Sequence, residues 1–119
     1  MAALGIGGFF FRAKDPEALG AWYRTHLGIG GEHGVWPQQA GPTVFQPFAE
    51  TDAYFPDDRR WMLNFRVADL DATVAALSSA GIEVTTRPEW DMPGVGRFAR
   101  IRDPEGNPIE LWEAAPDAG

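Results

Sequence analysis

Apolar residues recur along this chain at two spacings. Leu19, Trp22, Tyr23 and Leu27 stand at i, i+3, i+4 and i+8, which is one face of a helix. Leu70, Val74 and Leu77 mark a second helical face, with alanines around them. Both helices carry start and stop signals. Asp15 and Asp69 are N-cap residues whose carboxylates accept a helix-start N–H. Pro16 fits the first helical position, where no N–H partner is needed. Glu17 and Asp71 complement the positive end of the helix dipole. Gly28 and Gly81 suit the left-handed residue that ends a helix.

The remaining apolar runs read as strands. They are "TVFQPF" (Thr43 to Phe48), "WMLNFRV" (Trp61 to Val67), "IEVTTR", "GRFARIRD" and "NPIELWE". The last two flank Asp103-Pro104-Glu105-Gly106, with Asp first, Pro second and Gly fourth, the order of a type I turn. They are therefore predicted to form a hairpin. "GIGGEHGVWPQQAGP" is a Gly- and Pro-rich connection, "AETDAYFPDDRR" an acidic loop joining the halves, and "APDAG" a loose tail.

The two helical segments belong to an internal repeat. Arg12 matches Arg66 at an offset of 66 − 12 = 54, and at that offset Phe11 matches Phe65, Asp15 matches Asp69 and Ala18 matches Ala72. One deletion then aligns Gly28 with Gly81. Each half reads as strand, helix, then further strands. The expectation is a single α+β domain over residues 1–119, with one module at about 5–50 and a second at about 60–114.

Composition narrows the chemistry. The 119 residues include no cysteine, which removes disulfides, zinc knuckles and thiol catalysis. Net charge is −7 with a sequence pI of about 4.6, and no basic stripe is present, so nucleic-acid binding is disfavoured. No apolar run approaches the ~20 residues of a membrane helix, and no signal-peptide pattern is visible, so a cytoplasmic location is expected. There is no Ser–His–Asp set, phosphate loop or dinucleotide fingerprint. "GIGG" near the start is too short to cradle a phosphate. Five Trp and eight Phe in so short a chain point to a pocket lining or a subunit interface.

Two halves ending in D-P-E-G-N-P-I-E-L, with D-P-x-x-x-x-x-W-Y-x-x-x-L-G in the first, resemble the vicinal oxygen chelate superfamily. That superfamily contains glyoxalase I, bleomycin-resistance proteins and extradiol dioxygenases. The resemblance covers nearly the whole chain. It implies two tandem βαβββ modules forming a cup-shaped, curled mixed sheet, with helices on the convex side and the ligand in the concave side. It also implies either one closed unit or a swapped homodimer. Metal-dependent members place one ligand on each of four strands. Carried over, those positions are Gly8, Gln46, Met62 and Glu110, with 62 − 8 = 54 repeating the internal offset. Glycine has no donor, and a thioether is ill matched to sites built from nitrogen and oxygen. Only Glu110, and weakly Gln46, keep ligand character, so no metal cofactor is expected.

Strand alternation then sorts the remaining side chains. If Glu110 faces the cup, so does Trp112, while Ile109 and Leu111 face the helices. Met62, Asn64 and Arg66 share a face, and so do Phe10 and Arg12 on the first strand. Phe98 and Arg100 complete the predicted lining, with Gln46 and Phe48 from the first half. Such a wall, aromatic with a few polar groups, suits a small organic molecule. The arginines either meet an anionic group or pair internally with Glu110. His26 reads as a helix-end residue and His33 as a solvated loop residue. Trp36 is a lid or a loop anchor, and Tyr54 and Trp61 are candidates for a subunit interface.

Three functions stay open at this point. The first is a glyoxalase-like domain that binds a small molecule without the family metal. The second is a metal-dependent enzyme, a lactoylglutathione-lyase-like lyase, an isomerase or a dioxygenase, with Glu110 as ligand and His26 or His33 recruited. The third is an antibiotic-sequestering resistance protein, whose acidity suits a cationic drug.

Overall fold

The computed structural model describes residues 2–31 and 34–116. Its fold is α+β: α1 Pro16–Leu27, β1 Leu63–Arg66, α2 Leu70–Ser79, β2 Gly96–Arg102 and β3 Pro108–Ala114, with a 3-10 turn at Pro88–Trp90. His33 lies outside the described residues.

The helix ends follow the local chemistry. Asp15 accepts the Ala18 N–H at 3.0 Å, and Asp69 accepts the Ala72 N–H at 3.1 Å. Gly28 closes α1 in the left-handed conformation at φ 66°, donating its N–H to the Arg24 carbonyl. Gly81, also at positive φ, follows the Ala80 cap of α2.

The three strands lie in the order β1-β3-β2. β1 runs parallel to β3 and β2 antiparallel to it. On the outer side of β2, Thr85 exchanges both backbone hydrogen bonds with Arg100, at 2.9 and 2.8 Å. "IEVTTR" thus contributes one bridge where a strand was expected. Ala99, Ile101, Ile109 and Leu111 share one face of the sheet and are fully or almost fully buried. Leu19, Tyr23, Leu70 and Leu77 from the two helices complete this core. Phe11, Phe65 and Val67 pack against it. The opposite face is left to Asn64, Arg100, Glu110 and Trp112.

The hairpin turn ties the sheet to α1. Its hydrogen bond runs from the Gly106 N–H to the Asp103 carbonyl at 2.9 Å. The Asp103 carboxylate is buried and accepts from the Glu105 and Asn107 N–H groups, the Asn107 amide and the Tyr23 hydroxyl. The Tyr23 bond is 2.6 Å long and crosses from the first half of the chain to the second. Glu105 reaches back to α1 and accepts the Lys14 and Asp15 N–H groups at 2.7 and 3.0 Å. Arg59, from the connecting loop, donates to the Glu105 carbonyl and the Asn107 side chain.

The first half forms less β structure than its pattern implies. Neither Thr43–Phe48 nor the segment before α1 pairs into a ladder, and Leu4, Ile6, Phe10, Val44 and Phe45 are exposed. An alternating sequence makes a segment competent to be a strand, but the stabilisation comes from cross-strand partners. Among the described residues, only the second half supplies them. One further trace of the repeat is present. Asp52 donates to the Ala49 carbonyl at 2.9 Å, closing a turn 54 residues before Asp103–Gly106 (103 − 49 = 54).

Burial and the Asp103 carboxylate both push the Tyr23 hydroxyl well above the ordinary tyrosine pKa. Tyr23→Phe leaves Asp103 with three donors and removes one of the polar links between the halves, those of Glu105 to Lys14 and Asp15 remaining. Urea denaturation is expected to show a loss of roughly 1.5–3 kcal/mol, the worth of a hydrogen bond to a charged group. A loss below about 0.5 kcal/mol would mean that apolar packing alone holds α1.

Candidate functional site

Glu110 stands in the middle of β3, on the face away from the helices, and is 7% exposed. A carboxylate so far from water needs donors. Asn64, its register partner on β1, donates Nδ2–H to Oε1 at 2.7 Å. The Tyr54 hydroxyl donates to Oε2. Arg100, opposite Glu110 on β2, donates Nη2–H to the Tyr54 carbonyl at 3.0 Å. Its guanidinium carbon lies 5.0 Å from the centroids of both the Tyr54 and Trp90 rings, within cation–π range. Arg100 makes no salt bridge among the described residues, and its buried Nε–H has no acceptor there.

Tyr54, Trp90 and Arg100 border an open cleft of about 920 Å³, with Glu110 and Asn64 set behind Tyr54, outside the cleft lining. One wall is the connecting segment Glu50–Asp57, including Tyr54 and Phe55. The other is built from Thr85, Trp90, Arg100 and Pro108. Arg87 and Arg102 add positive charge, against Glu50, Asp52 and Asp57 across the cleft. Phe48 extends the aromatic surface, 5.7 Å from Tyr54 and 5.5 Å from Phe55.

The predicted lining is distributed unevenly. Asn64, Arg100 and Glu110 come together around Tyr54, with Phe48 beside them. Phe98 and Trp112 stack on each other further along the sheet, 6.1 Å apart with planes 7° from parallel. The Trp112 indole donates to the Val95 carbonyl at 2.9 Å. Gly96 makes room for that indole: at φ 142° a Cβ would fall 2.6 Å from its nitrogen and 2.2 Å from the Glu113 carbonyl. Arg66 turns away to the Gln39 carbonyl at 2.8 Å. Met62 is half-buried. Phe10, Arg12 and Gln46 are exposed in segments without strand pairing, and the hydrogen bonds to the Glu110 carboxylate among the described residues come from Tyr54 and Asn64.

Tyr54 and Trp90 were not in that lining. Strand alternation finds residues on strands, whereas both of these come from irregular segments folded over the sheet. The only signals were an aromatic pair within an acidic loop, "AYFPDD", and a tryptophan between prolines, "PEWDMP". Trp61 packs on Phe9 and Phe11 at 4.9 and 5.5 Å. Trp36 is exposed and meets Phe65 edge-on at 5.9 Å. His26 lies against Trp22 at the end of α1. No helix among the described residues is long and apolar enough to cross a membrane.

Burial, then the hydrogen bond to Glu110 and its charge, raise the Tyr54 pKa to about 12, with Arg100 opposing. The raised value favours the protonated phenol in the fold. Its contribution to stability is therefore present below the unfolded tyrosine pKa of ~10 and is lost as pH climbs towards 12. Tyr23 shifts in the same direction, and the chain has only these two tyrosines. Absorbance at 295 nm is expected to show little tyrosinate at pH 10. A half-titrated signal there in the folded protein would contradict these contacts.

Comparison with known proteins agrees with this architecture. A family model for a glyoxalase-like domain matches residues 8–112. CFP32 of Mycobacterium bovis and of Mycobacterium tuberculosis, each named as a glyoxylase, is 43% identical to this chain over 56 residues. Those residues are 47% of this chain and 21% of CFP32, so the match spans about a fifth of these curated relatives. The antibiotic-binding protein TnmS3 from Streptomyces sp. CB03234 superposes with a TM-score of 0.64 at 25% identity, over 97% of this chain and 99% of its own. A glyoxylase/bleomycin resistance protein/dioxygenase domain from Frankia sp. EAN1pec superposes with a TM-score of 0.62, over 96% of this chain and all of its own. At 22% identity, that likeness speaks to the fold alone. With the family model spanning nearly its whole length, this chain belongs to the glyoxalase-like domains of the vicinal oxygen chelate superfamily.

Proposed function

We propose that this protein binds a small organic molecule in the cleft beside Arg100 and Glu110, without a metal at the four family positions. The observation that carries this reading is the state of Arg100. A guanidinium on a cleft wall, clasped by two aromatic rings and lacking a carboxylate partner among the described residues, is a ready contact for a ligand's acceptor group. Around it, aromatic surface and a few polar groups have the make-up of a small-molecule site.

The donor set argues against a divalent metal. Gly8 offers no side-chain atom and Met62 offers a soft sulfur. Both Glu110 oxygens already accept hydrogen bonds, from Asn64 and Tyr54. The turn at Ala49–Asp52 further suggests that the first-half counterpart of Glu110 is Pro56 (110 − 54 = 56), in place of Gln46. Proline's side chain cannot ligate a metal.

Capture of an antibiotic is the second reading. It is favoured by the resemblance to TnmS3, an antibiotic-binding protein, over almost the full length of both chains. The two readings share a site and differ in the ligand. In either one, the tandem modules close into a cup. The unpaired first-half segments, with Phe10, Val44 and Phe45 exposed, suit completion by a second copy.

Purified protein is expected to hold less than stoichiometric Ni, Zn, Mn, Mg or Fe. Light scattering is expected at twice 13.0 kDa. A thermal-shift screen of metabolites and antibiotics is expected to find hits that Arg100→Ala weakens, since ligand stabilisation rises with concentration over Kd. Stoichiometric metal that is lost in Glu110→Ala would overturn the metal-free reading. Hits insensitive to Arg100 would move the ligand to another site.

A further inference from the structure

Glu110 is occupied by a phenol from the protein itself. The Tyr54 hydroxyl sits on Oε2, and Asn64 holds Oε1 at 2.7 Å. The Tyr54 ring has the Arg100 guanidinium over its face at 5.0 Å. Trp90 meets the ring edge-on at 6.2 Å, and Phe48 lies tilted against it at 5.7 Å. The sheet and Trp90 thus form a socket for a hydroxyl-bearing aromatic ring: an acceptor at its base, a cation over its face and aromatic edges around it.

The segment that brings the phenol in is lightly tied. Residues 49–57 form no helix or strand. Apart from the hydroxyl and the ring contacts, Tyr54 has two hydrogen bonds among the described residues, from Arg100 to its carbonyl and from its N–H to Asp52, a neighbour within the same segment. The open cleft lies directly beside it. Most of the socket would survive the departure of Tyr54, because Asn64, Glu110 and Arg100 are on paired strands. The Arg100 Nε–H, without an acceptor while Tyr54 is in place, marks unused binding capacity in the same spot.

We propose that Tyr54 is an internal stand-in for the ligand, and that the socket takes hydroxyaryl compounds, which displace the Tyr54 side chain from Glu110. This deepens the small-molecule reading of the cleft and rests on it. Binding is then an exchange of one phenol for another. The Tyr54 competitor is intramolecular, present at an effective concentration on the order of millimolar, so wild-type affinity for a simple phenol is reduced accordingly.

The test uses p-cresol, the tyrosine side chain as a free molecule, with toluene as the control lacking the hydroxyl. Binding is followed by tryptophan fluorescence and thermal shift. Wild type is expected to bind p-cresol weakly. Tyr54→Ala is expected to bind it about tenfold more tightly or better, because the competitor is gone. Toluene should gain far less, and adding Glu110→Leu to Tyr54→Ala should abolish the gain for p-cresol. If Tyr54→Ala fails to fold, Tyr54→Phe keeps the ring, releases Glu110 and should still raise p-cresol affinity. Equal binding of toluene and p-cresol by Tyr54→Ala would reduce the socket to an apolar hole and overturn the proposal. So would binding by the variant with none by wild type at saturation, since Tyr54 would then be a fixed part of the fold. A non-aromatic ligand that binds wild type and Tyr54→Phe alike, and depends on Arg100, would overturn this inference and leave the cleft reading intact. Failure of every compound at the cleft would overturn both.

Discussion

The turn Asp103–Asn107 joins the two halves of this chain, and a buried carboxylate is the reason it can. Asp103 cannot stay out of water without donors, and its own turn supplies only three. The fourth comes from Tyr23, eighty residues earlier, on the buried face of α1. Glu105 of the same turn accepts from the start of α1, and Arg59 from the connecting loop donates to the turn. Once the turn is set, β2 and β3 are in register. Ile101, Ile109 and Leu111 then meet the helices, and Glu110 and Arg100 are left on the opposite face.

The second buried carboxylate of the hairpin has a different character. Asp103 is satisfied mainly by its own turn, whereas Glu110 depends on a side chain from an irregular segment. Its partners, Asn64 and Tyr54, come from separate parts of the chain. Arg100 next to it is held by aromatic faces and one carbonyl, with no opposing carboxylate among the described residues. One carboxylate therefore organises the fold. The other, with its arginine, is arranged so that its contacts can be exchanged.

Much of this was legible in the sequence because it follows from local rules. Both helices, their aspartate caps and the Asp-Pro-Glu-Gly turn depend on residues within a few positions of one another. Period-two alternation put Glu110 and Arg100 on one face of the sheet, with Ile109 and Leu111 on the other. The glyoxalase-like family was legible too, because its motifs lie in those same local elements. What was missed depends on long-range placement. Tyr54 and Trp90 reach the site through loops, which carry no periodicity. The first-half strands were expected from their pattern, but ladders need partners, and among the described residues Thr43–Phe48 finds none. Aligning the Ala49–Asp52 turn with Asp103–Gly106 also shifts the first-half register, setting Tyr54 and Pro56 where Pro108 and Glu110 stand in the second.

The central claim is that the Arg100–Glu110 face of the sheet is where this protein meets its ligand. A crystal structure of the protein with the molecule that stabilises it most tests this directly. The account predicts that molecule in the cleft beside Trp90, with a polar atom within hydrogen-bond distance of Arg100 or Glu110. A molecule bound elsewhere, with the Tyr54–Glu110–Asn64 contacts unchanged and the cleft closed by side chains, would contradict it.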